Sequence, residues 1–232
     1  MQFDRPLITG TLIRRVNRFV ADIKLRNGHT VQAHCTNTGS LKTCCTPGWE
    51  VALSKAANPK RKLKYTWELV HNGTCWIGIN TLVPNRIAEE AVRGGRIPEL
   101  DSYSTVMREK PYGENSRIDL LLTGGAADCY VEIKNVTMIG NDGAACFPDA
   151  VTTRGLKHLR ELQHVVWNGQ RAVMLYVIQR SDTTVFRPAD SIDPDYAAEL
   201  RRAVKNGVEA LAYRADVSLD GIVIGDPVRV VL

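Results

Sequence analysis

The chain changes character near residue 84, and that change restricts its fold more than any other feature. Before it, short runs of alternating apolar and polar residues are separated by turn formers. Residues 7–14, 19–25, 30–35, 50–54, 67–71 and 74–79 read as strands. Asn27-Gly28 and Asn72-Gly73 are hairpin signals, because glycine accepts the positive φ of a two-residue turn, and Pro47-Gly48 marks a further turn. Several short strands without a convincing helix predict a small closed or nearly closed β-barrel, of OB or SH3-like type. Beyond Pro84, residues 85–93 read as a short helix capped by Asn85 and stopped by Gly94-Gly95. Residues 117–122 and 130–137 are Ile-, Leu- and Val-rich strands on either side of a Gly124-Gly125 break. Leu156, Leu159, Leu162 and Val166 have helical spacing within 152–168. An apolar strand at 171–179, a helix at 195–205 and a strand at 208–214 complete the pattern. Strands covered on both faces and alternating with helices predict an α/β domain with a mixed sheet. The expectation is two domains, 1–84 and 85–232.

Charge divides at the same place. Residues 1–84 hold 12 Lys and Arg against 4 Asp and Glu, whereas residues 85–232 hold 18 against 21. A basic module joined to a mildly acidic one suits a polyanion-binding barrel attached to a carboxylate-bearing domain. Arg14, Arg15 and Arg18 precede one strand, and Lys60, Arg61, Lys62 and Lys64 lead into Tyr65 and Trp67. Barrels hold nucleic acid with such mixtures, cations following phosphates and aromatic faces stacking on bases. Arg154, Lys157 and His158, on the 152–168 helix, are candidates for contact with a bound strand. The six cysteines show no C-x-x-C pair, so free and mostly buried thiols are expected rather than zinc or disulfides. No apolar run is long enough to cross a bilayer, and the first residues lack a secretory signal, so the expected location is the cytoplasm.

The chemistry concentrates between 116 and 137. Asp119 lies in Arg117-Ile118-Asp119-Leu120-Leu121; Glu132 and Lys134 lie in Tyr130-Val131-Glu132-Ile133-Lys134. Alternation along a strand puts Glu132 and Lys134 on one face, and a short hairpin would bring Asp119 beside Glu132. Carboxylates among apolar residues are costly unless they are paired or bound to a cation. A hard ion such as Mg²⁺ or Mn²⁺ takes carboxylate oxygens, keeps waters and binds phosphate. Asp119 and Glu132 are therefore the candidate metal ligands, with Lys134 positioned to hold an attacking water or stabilise phosphoryl charge. An internal Glu–Lys ion pair without a catalytic role explains the same residues. Glu89 and Glu90, in the preceding helix, could add a third carboxylate.

At these residues a resemblance becomes specific. Ser-Arg-Ile-Asp at 116–119, Cys-Tyr-Val-Glu-Ile-Lys-Asn-Val-Thr at 129–137 and Phe-Pro-Asp-Ala-Val-Thr-Thr-Arg-Gly at 147–155 resemble the sugar fermentation stimulation protein family, SfsA. So do Tyr-Thr-Trp-Glu-Leu-Val at 65–70, Lys-His-Leu-Arg-Glu-Leu at 157–162 and the segment 207–214. The resemblance implies an α+β two-domain chain: an N-terminal OB-fold, then an α/β domain like the PD-(D/E)XK nucleases. It implies DNA binding without strong sequence preference and a link to regulation of maltose and other sugar utilisation. Carried over by position, Asp119, Glu132 and Lys134 match the D…E-x-K motif, and Glu90 best matches the upstream helical glutamate. The resemblance implies Gln at the position of Leu156, so a polar role there is not expected of this chain. Two functions remain open: a metal-dependent phosphodiesterase, and a non-catalytic DNA-binding regulator on a nuclease scaffold.

Overall fold

The computed structural model describes all residues, 1–232. The first part contains β1 (Ile8–Asn17), β2 (Val20–Leu25), β3 (Thr30–His34), β4 (Glu50–Lys55), β5 (Tyr65–His71) and β6 (Trp76–Gly78). They lie in the order β3-β2-β1-β4-β5-β6, and a parallel pairing of β3 with β5 closes the first five into a barrel. Gly28, at φ +86°, makes the β2–β3 turn that the Asn-Gly pair predicts. Inward residues of alternate strand positions, including Leu12, Ile23, Ala33, Leu53 and Trp67, fill the barrel. Trp67 is fully buried, so it belongs to this core rather than to a stacking surface.

The second part runs α1 (Val83–Arg93), β7 (Thr105–Tyr112), β8 (Ser116–Thr123), β9 (Cys129–Val136), β10 (Met138–Ile139), β11 (Ala145–Phe147), α2 (Thr153–Trp167), β12 (Arg171–Ile178), β13 (Val185–Pro188), α3 (Pro194–Lys205), β14 (Glu209–Val217), β15 (Ile222–Pro227) and β16 (Arg229–Val230). Its main sheet has the order β15-β14-β12-β9-β8-β7. The β9–β12 and β12–β14 pairs are parallel and the outer pairs antiparallel, which is the expected mixed sheet. Alternation on β12 shows how both faces are covered. Val173, Leu175 and Val177 pack toward α1, and Met174, Tyr176 and Ile178 pack toward α2 and α3. The small strands β10, β11, β13 and β16 form a separate four-stranded sheet.

One expectation needs correction, and two features lie outside the expected elements. Asn85 is not the cap of α1: the helix begins at Val83 after Leu82, which makes no side-chain cap. β7 lay outside the sequence-derived strands because it is a polar edge strand, mostly exposed, containing Pro111 and Glu109 at φ +51°. The first residues also leave the barrel, since Gln2 bridges to Gly221 and the Met1 ammonium donates to Ile222 O at 2.9 Å.

The two parts are fastened by polar contacts. Gly78 N donates to Gln179 O at 2.9 Å, and Asn72 Nδ2 to Asp182 Oδ2 at 2.8 Å. Within the second part Arg180, 2% exposed, forks onto the same Asp182 at 2.6 and 2.7 Å and donates to Thr137 O at 2.9 Å, the carbonyl that Cys44 Sγ of the barrel reaches at 3.2 Å. All six cysteines are free, and four of them are buried, as expected.

Candidate active site

β9 presents Glu132 and Lys134 on the face that α2 covers, and the pair closes directly, Lys134 Nζ to Glu132 Oε1 at 2.6 Å. Asp119 reaches the same place from β8. Its Oδ2 accepts from the backbone N of Ile133, between Glu132 and Lys134, at 2.8 Å. Its Oδ1 accepts from Asn85 Nδ2 at 2.7 Å. The ladders explain why Asp119 can do this. β8 registers with β9 only through Leu120, Leu121 and Leu122, and with β7 through Leu120 and Ile118 but not Asp119. Leu120 packs toward α1 while Ile118 packs toward α2 and α3, so the strand turns over at Asp119.

His158 joins the trio. Its Nδ1 meets Glu132 Oε1 and lies 3.1 Å from Lys134 Nζ, and Arg154 Nε donates to its Nε2 at 3.3 Å. Nε2 thus faces Arg154, and Nδ1 is the ring nitrogen turned to Glu132 and Lys134. Glu132 is 3% exposed, and its Oε2 is buried without a partner. Although burial opposes ionisation, Lys134 and His158 hold the Glu132 carboxyl below the usual range. Burial, and then the Glu132 carboxylate, push Asp119 the other way, up to about 6. Two carboxylates whose environments drive them apart, one with an orphaned oxygen, make a site that a cation would relieve.

Not every expected residue arrives. Glu90 is corrected: it lies on the outer face of α1, paired with the Met1 ammonium at 2.6 Å and Arg86 at 3.1 Å. Glu89 pairs with Arg93 at 2.9 Å. Both glutamates are engaged with cations, and the α1 residue at the trio is Asn85. No group of three or more His, Cys, Asp or Glu side chains is arranged to hold a metal, so the trio would offer two carboxylates. His158 is also corrected. At 4% exposure it packs against Glu132 and Lys134 instead of lying on the outer face of α2. One signal lay in the sequence: His158 adjoins the apolar stripe at Leu159 and Leu162 and follows Arg154 by one turn.

The barrel cations divide by what they touch. Arg15 is corrected from ligand contact to internal brace, donating to Asn37 O at 2.7 Å, Gly39 O at 2.8 Å and Ser40 O at 3.0 Å. Arg14 pairs with Asp22 at 2.9 Å, and Arg61 donates to Tyr65 O at 3.2 Å. Lys60, Lys62 and Lys64 are exposed on the β4–β5 loop, with Lys64 Nζ on Pro59 O. Arg18 is exposed on the β1–β2 turn and lines a cleft between barrel and α/β domain. On α2, Arg154 is exposed, and Lys157 donates to Glu114 O at 2.6 Å. No helix is long and apolar enough to cross a membrane.

Comparison with known proteins agrees with this architecture. The profile of the SfsA N-terminal OB domain matches residues 13–79, and that of the sugar fermentation stimulation protein RE domain matches residues 82–221. A sugar fermentation stimulation protein homolog of Geotalea uraniireducens is 56% identical over 222 residues, 96% of either chain. Another, of Pelobacter propionicus, is 52% identical over 227 residues, 98% of either chain. The structure of Pyrococcus furiosus SfsA in complex with Ca²⁺ superposes with a TM-score of 0.90 at 27% identity, covering 100% of this chain and 98% of that one. On these matches, which span both the barrel and the α/β domain, the chain belongs to the sugar fermentation stimulation protein family.

Proposed function

We propose that this chain is a divalent-metal-dependent phosphodiesterase acting on nucleic acid, most readily DNA without strong sequence preference. One observation carries the reading. Asp119 is fastened to the backbone between Glu132 and Lys134, while Glu132 keeps a buried oxygen with no hydrogen-bond partner. The donor chemistry is hard and anionic, as Mg²⁺ or Mn²⁺ requires, and two carboxylates leave room for the waters that Mg²⁺ keeps. The Ca²⁺ complex of the Pyrococcus relative supports a hard dication in this family. Asp119 and Glu132 would hold the ion, which when bound polarises a phosphoryl oxygen and supplies a nucleophilic water at neutral pH.

The protein's own groups do the rest. Lys134, its side chain 11% exposed, offers an ammonium able to orient the attacking water or stabilise charge on the phosphoryl oxygens. His158, held by Arg154, fixes the Glu132 carboxylate. Lys60, Lys62, Lys64 and Arg18 bring positive charge to the nucleic acid from the barrel side. A second reading draws on the Lys134–Glu132 contact itself, which closes an ion pair without any ligand: a DNA-binding regulator that retains a nuclease scaffold. A connection to sugar utilisation rests on the name the relatives carry.

The test is cleavage of labelled single- and double-stranded oligonucleotides with Mg²⁺, Mn²⁺ or EDTA, comparing the wild type with Asp119→Asn and Lys134→Ala. Metal-dependent cleavage lost in both variants supports the enzyme. Binding without cleavage under every condition supports the regulator.

A further inference from the structure

The cleft beside Arg18 has a volume of about 510 Å³ and walls from both domains. We infer that it seats an unpaired nucleotide, which makes single-stranded or frayed nucleic acid the substrate class. The inference rests on the nucleic-acid part of the proposed function but not on catalysis.

The lining chemistry selects the occupant. Asn37 and Asn135 both spend their side-chain oxygens internally, Asn37 Oδ1 accepting from Gly39 N at 2.9 Å and Asn135 Oδ1 from Gln179 Nε2 at 2.7 Å. Each is therefore left to offer amide N–H groups, and Thr38 adds a hydroxyl. Phe147 and Val151 give the cleft an apolar wall, and Val151 is 72% exposed at its rim. Amide donors, a hydroxyl and an apolar wall match the edge and face of a base, and Arg18 adds a cation for its phosphate. A base paired in a duplex has its edge occupied, and a duplex is too wide to enter a cleft of this volume.

The cleft is built before anything binds. Arg15 ties down the Asn37–Ser40 loop from the barrel, and Leu41 N, just beyond it, donates to Asp149 Oδ2 across the domain boundary at 3.3 Å. Gly39 permits that approach: a Cβ there would lie 2.4 Å from Asp149 Oδ2. Two elements run from the cleft to the candidate site without any trio residue lining it: Asn135 follows Lys134 on β9, and Thr152 is the cap of α2, which carries Arg154 and His158.

The experiment measures affinity in EDTA, so that cleavage plays no part. Full-length protein is titrated against a labelled single strand, a blunt duplex, and the same duplex with a single-stranded tail. The expected result is binding of the single strand and tailed duplex about tenfold or more tighter than the blunt duplex, equivalent to about 1.4 kcal/mol. Ala150→Trp, at an exposed cleft position, plugs the site, and Arg18→Gln removes its cation. Each should erase most of the difference between tailed and blunt duplex. Equal affinity of the wild type for tailed and blunt duplexes would overturn the inference. So would full discrimination by folded Ala150→Trp. Absence of cleavage with Mn²⁺ would count against the phosphodiesterase alone, leaving this affinity difference as a separate result.

Discussion

Replacing Asp119 with Asn changes one proton and one charge while keeping the side-chain shape, and the structure fixes the sign of the effect. Asp119 takes a hydrogen bond from Ile133 N and another from Asn85 Nδ2. An asparagine can keep the first through its oxygen and donate to Asn85 once that carboxamide turns over. What disappears is a carboxyl that burial and Glu132 push from 3.8 to about 6. A raised carboxyl favours the folded state fully below its unfolded value, and that contribution is lost as pH rises through about 6. A shift of about two units corresponds to a penalty on the order of 3 kcal/mol borne by the wild type, and not by Asp119→Asn, at pH well above 6. For a chain of this size each kcal/mol moves Tm by about 2–4 °C. Thermal unfolding in EDTA should therefore show Asp119→Asn gaining on the wild type between pH 4 and pH 8, by at most about 6–12 °C. Added Ca²⁺ or Mn²⁺ should raise the wild-type Tm at pH 8 and leave the variant unmoved. A variant less stable than the wild type by the same margin at both pH values, with an intact metal response, would refute the reasoning. It would mean that Asp119 serves only as a hydrogen-bond acceptor.

Other substitutions separate the remaining roles. Glu132→Ala leaves Lys134 and His158 facing an empty buried position and should cost about 3–5 kcal/mol, read by urea unfolding in EDTA. Glu90→Ala breaks a surface pair with Arg86 and leaves the part-buried Met1 ammonium its bond to Ile222 O, so it should lower Tm measurably while leaving metal-dependent cleavage intact. Neutralising Lys60, Lys62 and Lys64 together should weaken binding of all sequences alike and flatten the salt dependence by up to about three counterions, measured by titration across a salt series. Arg15→Ala should instead lower Tm, because it releases three carbonyls of the 37–40 segment.

Local pattern carried much of this protein. Hairpin glycines, alternating strands and apolar helix spacing are properties of neighbouring residues, so the barrel, the mixed sheet and the strand addresses of Asp119, Glu132 and Lys134 were legible in the sequence. β7 was not, because an exposed edge strand has no apolar face to announce it. The parallel β3–β5 pairing that closes the barrel was not either, since it joins residues far apart in the chain. The same limit governed the site. Whether Glu90 or Asn85 faces Asp119 depends on how α1 is rotated against the sheet, and its buried stripe from Val83 to Val92 turns Glu90 outward. Whether Arg15 meets a ligand or a loop, and whether His158 meets solvent or Glu132, depends on what the fold packs beside each side chain. Sequence alone determined which chemical groups the chain owns and which strands and helices carry them. Tertiary structure decided which groups meet, because a contact between distant residues is set by the packing of whole elements and not by the spacing within any one of them.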